Sequence, residues 1–205
     1  MSNTRKHCKD PFTTQCWLYE CITDPYQVIA HFFAEAHVHH FRGLIKKLVC
    51  HASGAGVYKG DSPADILLYS KLIRSLIKAA HVLRHKKHST VTIKKEELFN
   101  KKYYCSHYTS ADVWEELPRY MSEKEYSDPC RVFQQFFSYR SLNSWLQCWD
   151  QVVENAFCSD TTSIKAPLTV CTHLIKLVEA AHLVDVREVT HVGECVKKGR
   201  VLSAT

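Results

Sequence analysis

The sequence predicts an all-α protein built from two tandem copies of one three-helix unit, and three observations predict it. The block Asp24-Pro25-Tyr26-Gln27-Val28-Ile29-Ala30-His31-Phe32-Phe33 aligns without gaps on Asp128-Pro129-Cys130-Arg131-Val132-Phe133-Gln134-Gln135-Phe136-Phe137, at a shift of 104 residues. At the same shift Val38, Phe41, Ile45, Leu48, Val49 and Ala52 fall on Leu142, Trp145, Trp149, Val152, Val153 and Ala156. Both sets recur at steps of three and four, the signature of a helix with one buried stripe. A third block, Leu76-Ile77-Lys78-Ala79-Ala80-His81-Val82-Leu83, lies over Leu177-Val178-Glu179-Ala180-Ala181-His182-Leu183-Val184 at a shift of 101. The change of shift falls between helices, where insertions are tolerated.

Each element has a local cause. Asp24 and Asp128 are N-cap residues, each followed by Pro, whose missing N–H costs nothing at the first helical position. Gln27 stands where it closes a capping box with Asp24. The first unit then reads as helices over 25–36, 38–52 and 63–84, with Ser53-Gly54-Ala55-Gly56 breaking the chain before Ser62-Pro63 restarts it. The second reads as 129–140, 142–157 and 166–185, with Pro167 in the first turn of its last helix. Between the units, Val91-Thr92-Ile93 reads as extended, Lys94–Lys102 as one or two helical turns, and 110–117 as a short capped helix stopped near Pro118. The organisation is an N-terminal extension (1–23), repeat unit 1 (24–84), a basic, partly helical connector (85–127), repeat unit 2 (128–185) and a C-terminal tail (186–205) expected to fray.

At 205 residues, 45% apolar and 23% charged, the chain can bury a core and is no candidate for wholesale disorder. No uninterrupted apolar run approaches the roughly 18–20 residues that span a bilayer. The polar start Met1-Ser2-Asn3-Thr4-Arg5-Lys6-His7 lacks the apolar stretch of a secretory signal. The expectation is a cytoplasmic protein with no membrane partner, so the ten cysteines read as free thiols rather than a disulfide framework. Cys8, Cys16 and Cys21 cluster beside His7, but their spacing matches no zinc finger. Charge is uneven: residues 1–104 carry 17 Lys+Arg against 8 Asp+Glu, and residues 105–205 carry 10 against 13.

The repeat acts as a filter on candidate sites, because a residue shared by both copies belongs to the fold. His31, His37, His39, His40 and His51 resemble a metal cluster, with His37, His39 and His40 its best members. Their counterparts Gln135, Ser141, Asn143, Ser144 and Asn155 are polar and mostly non-ligating, so these positions read as solvent-facing and no metal or other cofactor is expected. His81 and His182 share one slot near a helix end, where an imidazole donates to free carbonyls and interacts favourably with the helix dipole.

Arg84, Lys86, Lys87, Lys94, Lys95, Lys101 and Lys102 put seven cations within residues 84–102, against Glu96 and Glu97. Tyr103 and Tyr104 follow, and together they form the candidate nucleic-acid contact, phosphates to cations and bases to rings. Arg74-Ser75-Leu76-Ile77-Lys78-Ala79-Ala80-His81 is similar to the loose Arg-x(4–6)-His signature of the HEPN helical superfamily, many of whose members are metal-independent ribonucleases. The resemblance implies that Arg74 stabilises phosphate charge and His81 moves a proton; copy two has Ile175 opposite Arg74. No Gly-rich phosphate loop, G-x-S-x-G elbow or H-E-x-x-H occurs. The expectation is a non-catalytic scaffold or adaptor whose partner is another protein. The first alternative is a regulatory protein binding RNA or DNA through residues 84–104, the second a HEPN-like nuclease using Arg74 and His81.

Overall fold

The computed structural model describes residues 24–54, 56–86, 93–105, 113–159, 164–189, 191–192 and 195–196. The protein is all-helical. Its α-helices are α1 (Pro25–Glu35), α2 (Val38–Ala52), α3 (Pro63–Leu83), α4 (Val113–Glu116), α5 (Glu123–Ser127), α6 (Cys130–Tyr139), α7 (Leu142–Phe157) and α8 (Pro167–Arg187). Two 3-10 turns, Lys95–Glu97 and Lys101–Tyr103, precede α4. Beyond α8, strands β1 (His191–Val192) and β2 (Cys195–Val196) form a two-residue antiparallel pairing that the sequence reading did not foresee.

Most starts and stops follow the local chemistry. The Asp24 carboxylate accepts from Tyr26 N–H at 3.1 Å, and Pro25 opens α1. Gly54 and Gly56 end the α2 segment in the left-handed region (φ 108° and 81°), which costs glycine nothing. Two boundaries differ from expectation. Asp128 does not cap α6 through its side chain: α5, held by a Ser122/Glu125 capping box, runs to Ser127, and α6 begins at Cys130. The Asp128 carboxylate instead pairs with Arg131 at 3.3 Å. Helix α8 runs two residues beyond 185, where Arg187 finds partners outside the helix in the carbonyls of Tyr103 and Tyr126. Val91, Thr92 and residues 106–112 lie outside the described residues.

The helices pack crosswise. Helix α1 lies against α3 and α8, and α6 against α8 and α3; α2 runs along α7 and α8, and α7 along α3. One apolar core therefore holds residues from both halves, among them Phe32, Phe41, Ile45, Ile73, Leu76, Phe136, Trp145, Trp149, Leu174 and Val178. Phe32 stacks on Phe41 with ring centres 3.9 Å apart, and Phe136 on Trp145 at 4.0 Å. The His81 ring meets Phe137 edge-on at 4.9 Å, and the His182 ring meets Phe33 at 5.2 Å. Polar groups tie the halves together as well: Tyr58 N–H donates to Ala156 O at 2.7 Å, and the Trp149 indole N–H to Ser70 O at 3.2 Å.

By length and composition α8 is the one described helix apolar enough to cross a membrane. Most of it is buried inside the bundle, where it touches α1, α2, α3 and α6. A smaller apolar cluster of Tyr104, Tyr126 and Leu183, lined by Ile93, Leu98, Val113 and Met121, seats the connector against the far end of α8.

Candidate functional site

Buried charges on α2 and α8 hold the described residues of the connector to the bundle. Arg42 on α2 donates to Glu179 of α8 at 2.9 Å and to Leu117 O at 2.8 Å, and also to Glu115 O. Glu179 accepts in addition from the backbone N–H groups of Arg119 (2.8 Å) and Tyr120 (2.9 Å). A buried carboxylate is tolerated when its lone pairs are met by donors, and here two of those donors belong to the connector main chain. One turn further along α8, His182 donates through Nε2 to Tyr104 O at 2.8 Å and lies 3.8 Å from Glu116. Burial holds the His182 pKa below the ordinary histidine value, against the opposing pull of Glu116 and Asp185. At the helix end Arg187 donates to Tyr103 O at 2.9 Å and lies over the Tyr126 ring. Beneath α5, Lys176 meets both oxygens of Glu125 at 2.8 and 2.9 Å. Burial and Glu116 push the Cys105 thiol up to about 11, so at neutral pH it is a thiol and not a nucleophilic thiolate.

The predicted site residues fall into separate places. Arg74 is half-buried on α3 and donates to Asp150 of α7. His81 lies seven residues on, about 10 Å along the helix, with its ring on Phe137 and its pKa lowered by burial, Arg84 and His85. Each is thus engaged by a different helix of the second half. The rings of His37 and His39 are nearly parallel, 5.5 Å apart, and face Glu116 (3.8 Å) and Glu115 (3.4 Å) respectively. His40 turns away, to Tyr69. Among the described residues no group of three or more His, Cys, Asp or Glu is arranged to hold a metal ion. All five histidines of this stretch are half-buried, and the rings of His37, His39, His40 and His51 meet neighbouring aromatic or carboxylate groups. His182 is not in a last turn either, since α8 continues to Arg187.

The cationic residues divide into two groups. Arg84 lies over the Phe137 ring and Lys86 over the Tyr26 ring, at the end of α3, and Lys87 is outside the described residues. Lys94, Lys95, Lys101 and Lys102 are exposed on the two 3-10 turns of the connector, Lys102 lying 3.6 Å from Glu97. Tyr103 is half-buried with its hydroxyl on Glu97 at 3.1 Å, and Tyr104 is buried beneath the connector with no open face. Two neighbouring aromatic side chains are open instead: Phe99, 65% exposed, and Trp114, 58% exposed, with ring centres 6.4 Å apart.

Sequence reasoning passed over Arg42, Glu116, Asp185 and Arg187, and it passed over the exposure of Phe99 and Trp114. A signal for the first group was present. At the shifts that align the two stretches, Arg42 stands opposite Leu146, and Glu179 and Asp185 stand opposite the oppositely charged Lys78 and Arg84, so none of these three charges is shared between the stretches. No protein-family model, curated protein or solved structure matches the chain.

Proposed function

We propose that this protein is a non-catalytic scaffold that binds another macromolecule, and that its connector is the binding element. One observation carries the reading: the connector is fixed from beneath by buried charges on α2 and α8 while its outer side keeps lysines and large rings in solvent. A surface so fixed binds without the ordering cost that a loose loop would incur. Arg42 and Glu179 meet partners within the fold, which is the pattern of a structural network rather than of groups poised for a substrate.

The scaffold itself is two tandem copies of a three-helix unit, intertwined through their helices. Exchanging α1, α2 and α3 with α6, α7 and α8 leaves the pattern of packing partners unchanged, which supports this reading. So does the recurrence of the Phe32–Phe41 and His81–Phe137 ring contacts as Phe136–Trp145 and His182–Phe33. The extra turn of α8, which carries Asp185 and Arg187, is where the second copy departs from the first and receives the connector. The reading places the protein in the cytoplasm.

The test combines cleavage and cross-linking. Clean protein incubated with varied RNAs is expected to leave them intact. A photo-reactive phenylalanine analogue at position 99 is expected to give macromolecular adducts in the native cell, while the same group at Leu168, exposed at the start of α8, gives none. RNA cleavage that is lost in Arg74→Ala or His81→Ala, or no adduct from position 99, would overturn the proposal.

A further inference from the structure

We infer that the outer face of the connector binds single-stranded nucleic acid, with Phe99 and Trp114 as a base-stacking platform and Lys94, Lys95, Lys101 and Lys102 as phosphate contacts. The inference rests on the macromolecule-binding reading above and assigns the ligand.

The two rings come from separate stretches of the connector, and both stand outside the core. Their neighbours Leu98, Val113 and Leu117 turn inward onto Tyr104, Tyr126 and Leu183 and so fix the backbone from which the rings project. Asn100 also holds the chain beside Phe99, its side chain accepting from Lys102 N–H at 3.2 Å. The planes of Phe99 and Trp114 are tilted by 51°, so the rings do not stack on each other. That geometry suits two successive unstacked bases of a flexible strand, one on each ring. Stacking of this kind needs unpaired bases, which a duplex does not offer.

Charge complements the rings. Phe99 lies between the 3-10 turns Lys95–Glu97 and Lys101–Tyr103, and each flank supplies two exposed lysines. Of the acidic groups nearby, Glu97 is engaged by Lys102 and the Tyr103 hydroxyl, and Glu115 faces His39; Glu96 stays exposed among the lysines. Lysine is a point charge that meets phosphate without a fixed geometry, as strand binding without base readout requires. Among the described connector residues no large aliphatic side chain is exposed beside the two rings. A peptide-docking surface would be expected to offer such aliphatic anchors. Helices α4 and α5, of four and five residues, are too short to read a major groove.

Binding is measured by fluorescence anisotropy with a labelled twelve-nucleotide oligo-dT, whose missing 2′-hydroxyl keeps binding apart from ribonuclease action. The full chain should bind the single strand more tightly than a duplex of the same length, and affinity should fall steeply with salt. Phe99→Ala and Trp114→Ala should each weaken binding by about fivefold to a hundredfold. Lys101→Ala with Lys102→Ala should flatten the salt dependence by about 0.7 per lost phosphate contact. Because Trp145 and Trp149 are fully buried, Trp114 dominates the quenchable indole emission in a Trp17→Phe background, and oligo-dT should quench it. Unchanged thermal unfolding of the Phe99 and Trp114 variants separates lost contact from lost fold. Binding that ignores both ring substitutions, or prefers duplex, would overturn the inference. No binding at low salt, with position 99 cross-linking to protein alone, would also overturn it and leave the scaffold reading standing.

Discussion

Glu179 is fully buried, 0% exposed, in the middle of α8, and three donors meet it there: the Arg42 guanidinium and the N–H groups of Arg119 and Tyr120. Removing one member of such a pair leaves the other charge without compensation in a low-dielectric site. Glu179→Ala is therefore expected to lower stability by about 3–5 kcal/mol, read as a fall in the midpoint of urea unfolding. Replacing both Arg42 and Glu179 with leucine should recover only part of that loss, because the two backbone donors on the connector stay orphaned.

His182 acts through pH. It faces Glu116 and the Tyr104 carbonyl from the connector, Arg42 from α2, Phe33 from α1 and Asp185 on its own helix. Its folded pKa lies below its unfolded one, near 6.5, so between the two values the unfolded chain binds more protons and stability rises with pH. The contribution is whole above about pH 6.5 and is lost as the pH falls from there toward the folded value. Stability measured from pH 7 down to 5 should decline, with a share from this residue of up to about 1.4 kcal/mol per pH unit. The decline should be shallower in His182→Gln, whose amide can still donate to Tyr104 O; an unchanged slope would show that other histidines account for it.

At the scale of elements, helices with strong periodicity and local stop signals were legible. Predicted spans of 25–36, 38–52 and 142–157 meet observed helices of 25–35, 38–52 and 142–157. The alternation of apolar and polar positions alone places their buried faces. Elements whose boundaries depend on distant partners were not legible. Helix α8 gains its last residues because Arg187 reaches Tyr103 and Tyr126, residues sixty and more positions away in sequence. Helix α5 has only its Ser122/Glu125 capping box as a local signal, and its remaining support, Lys176, comes from α8. Ala166 before α8 adopts a left-handed conformation (φ 52°) that no local rule assigns to alanine. The candidate site divides the same way. The lysines were visible as a charge run, whereas the exchange of Tyr104 for Phe99 and Trp114 as available rings depends on which face of the connector meets α8.

For the whole molecule, crosswise packing predicts how stability is shared. Helix α2 buries its apolar face against α7 and α8 rather than against α3. A fragment of residues 24–84 therefore lacks the surfaces that cover α2, although it contains α1, α2 and α3 whole. We expect no folded monomer of this fragment. Circular dichroism should show it largely unfolded when dilute, and sedimentation should show any helical form to be a dimer in which a second copy supplies the missing helices. A stable, helical monomer would be incompatible with this packing.

The sequence by itself determined that the chain is helical, where its principal helices lie and that two stretches share one pattern, because helical periodicity and capping are local properties. Tertiary structure alone decided which helices exchange partners and which charges are buried. It also decided which rings of the connector remain open. These depend on contacts between residues far apart in the chain, and a residue's spacing says which face it occupies but not what that face will meet.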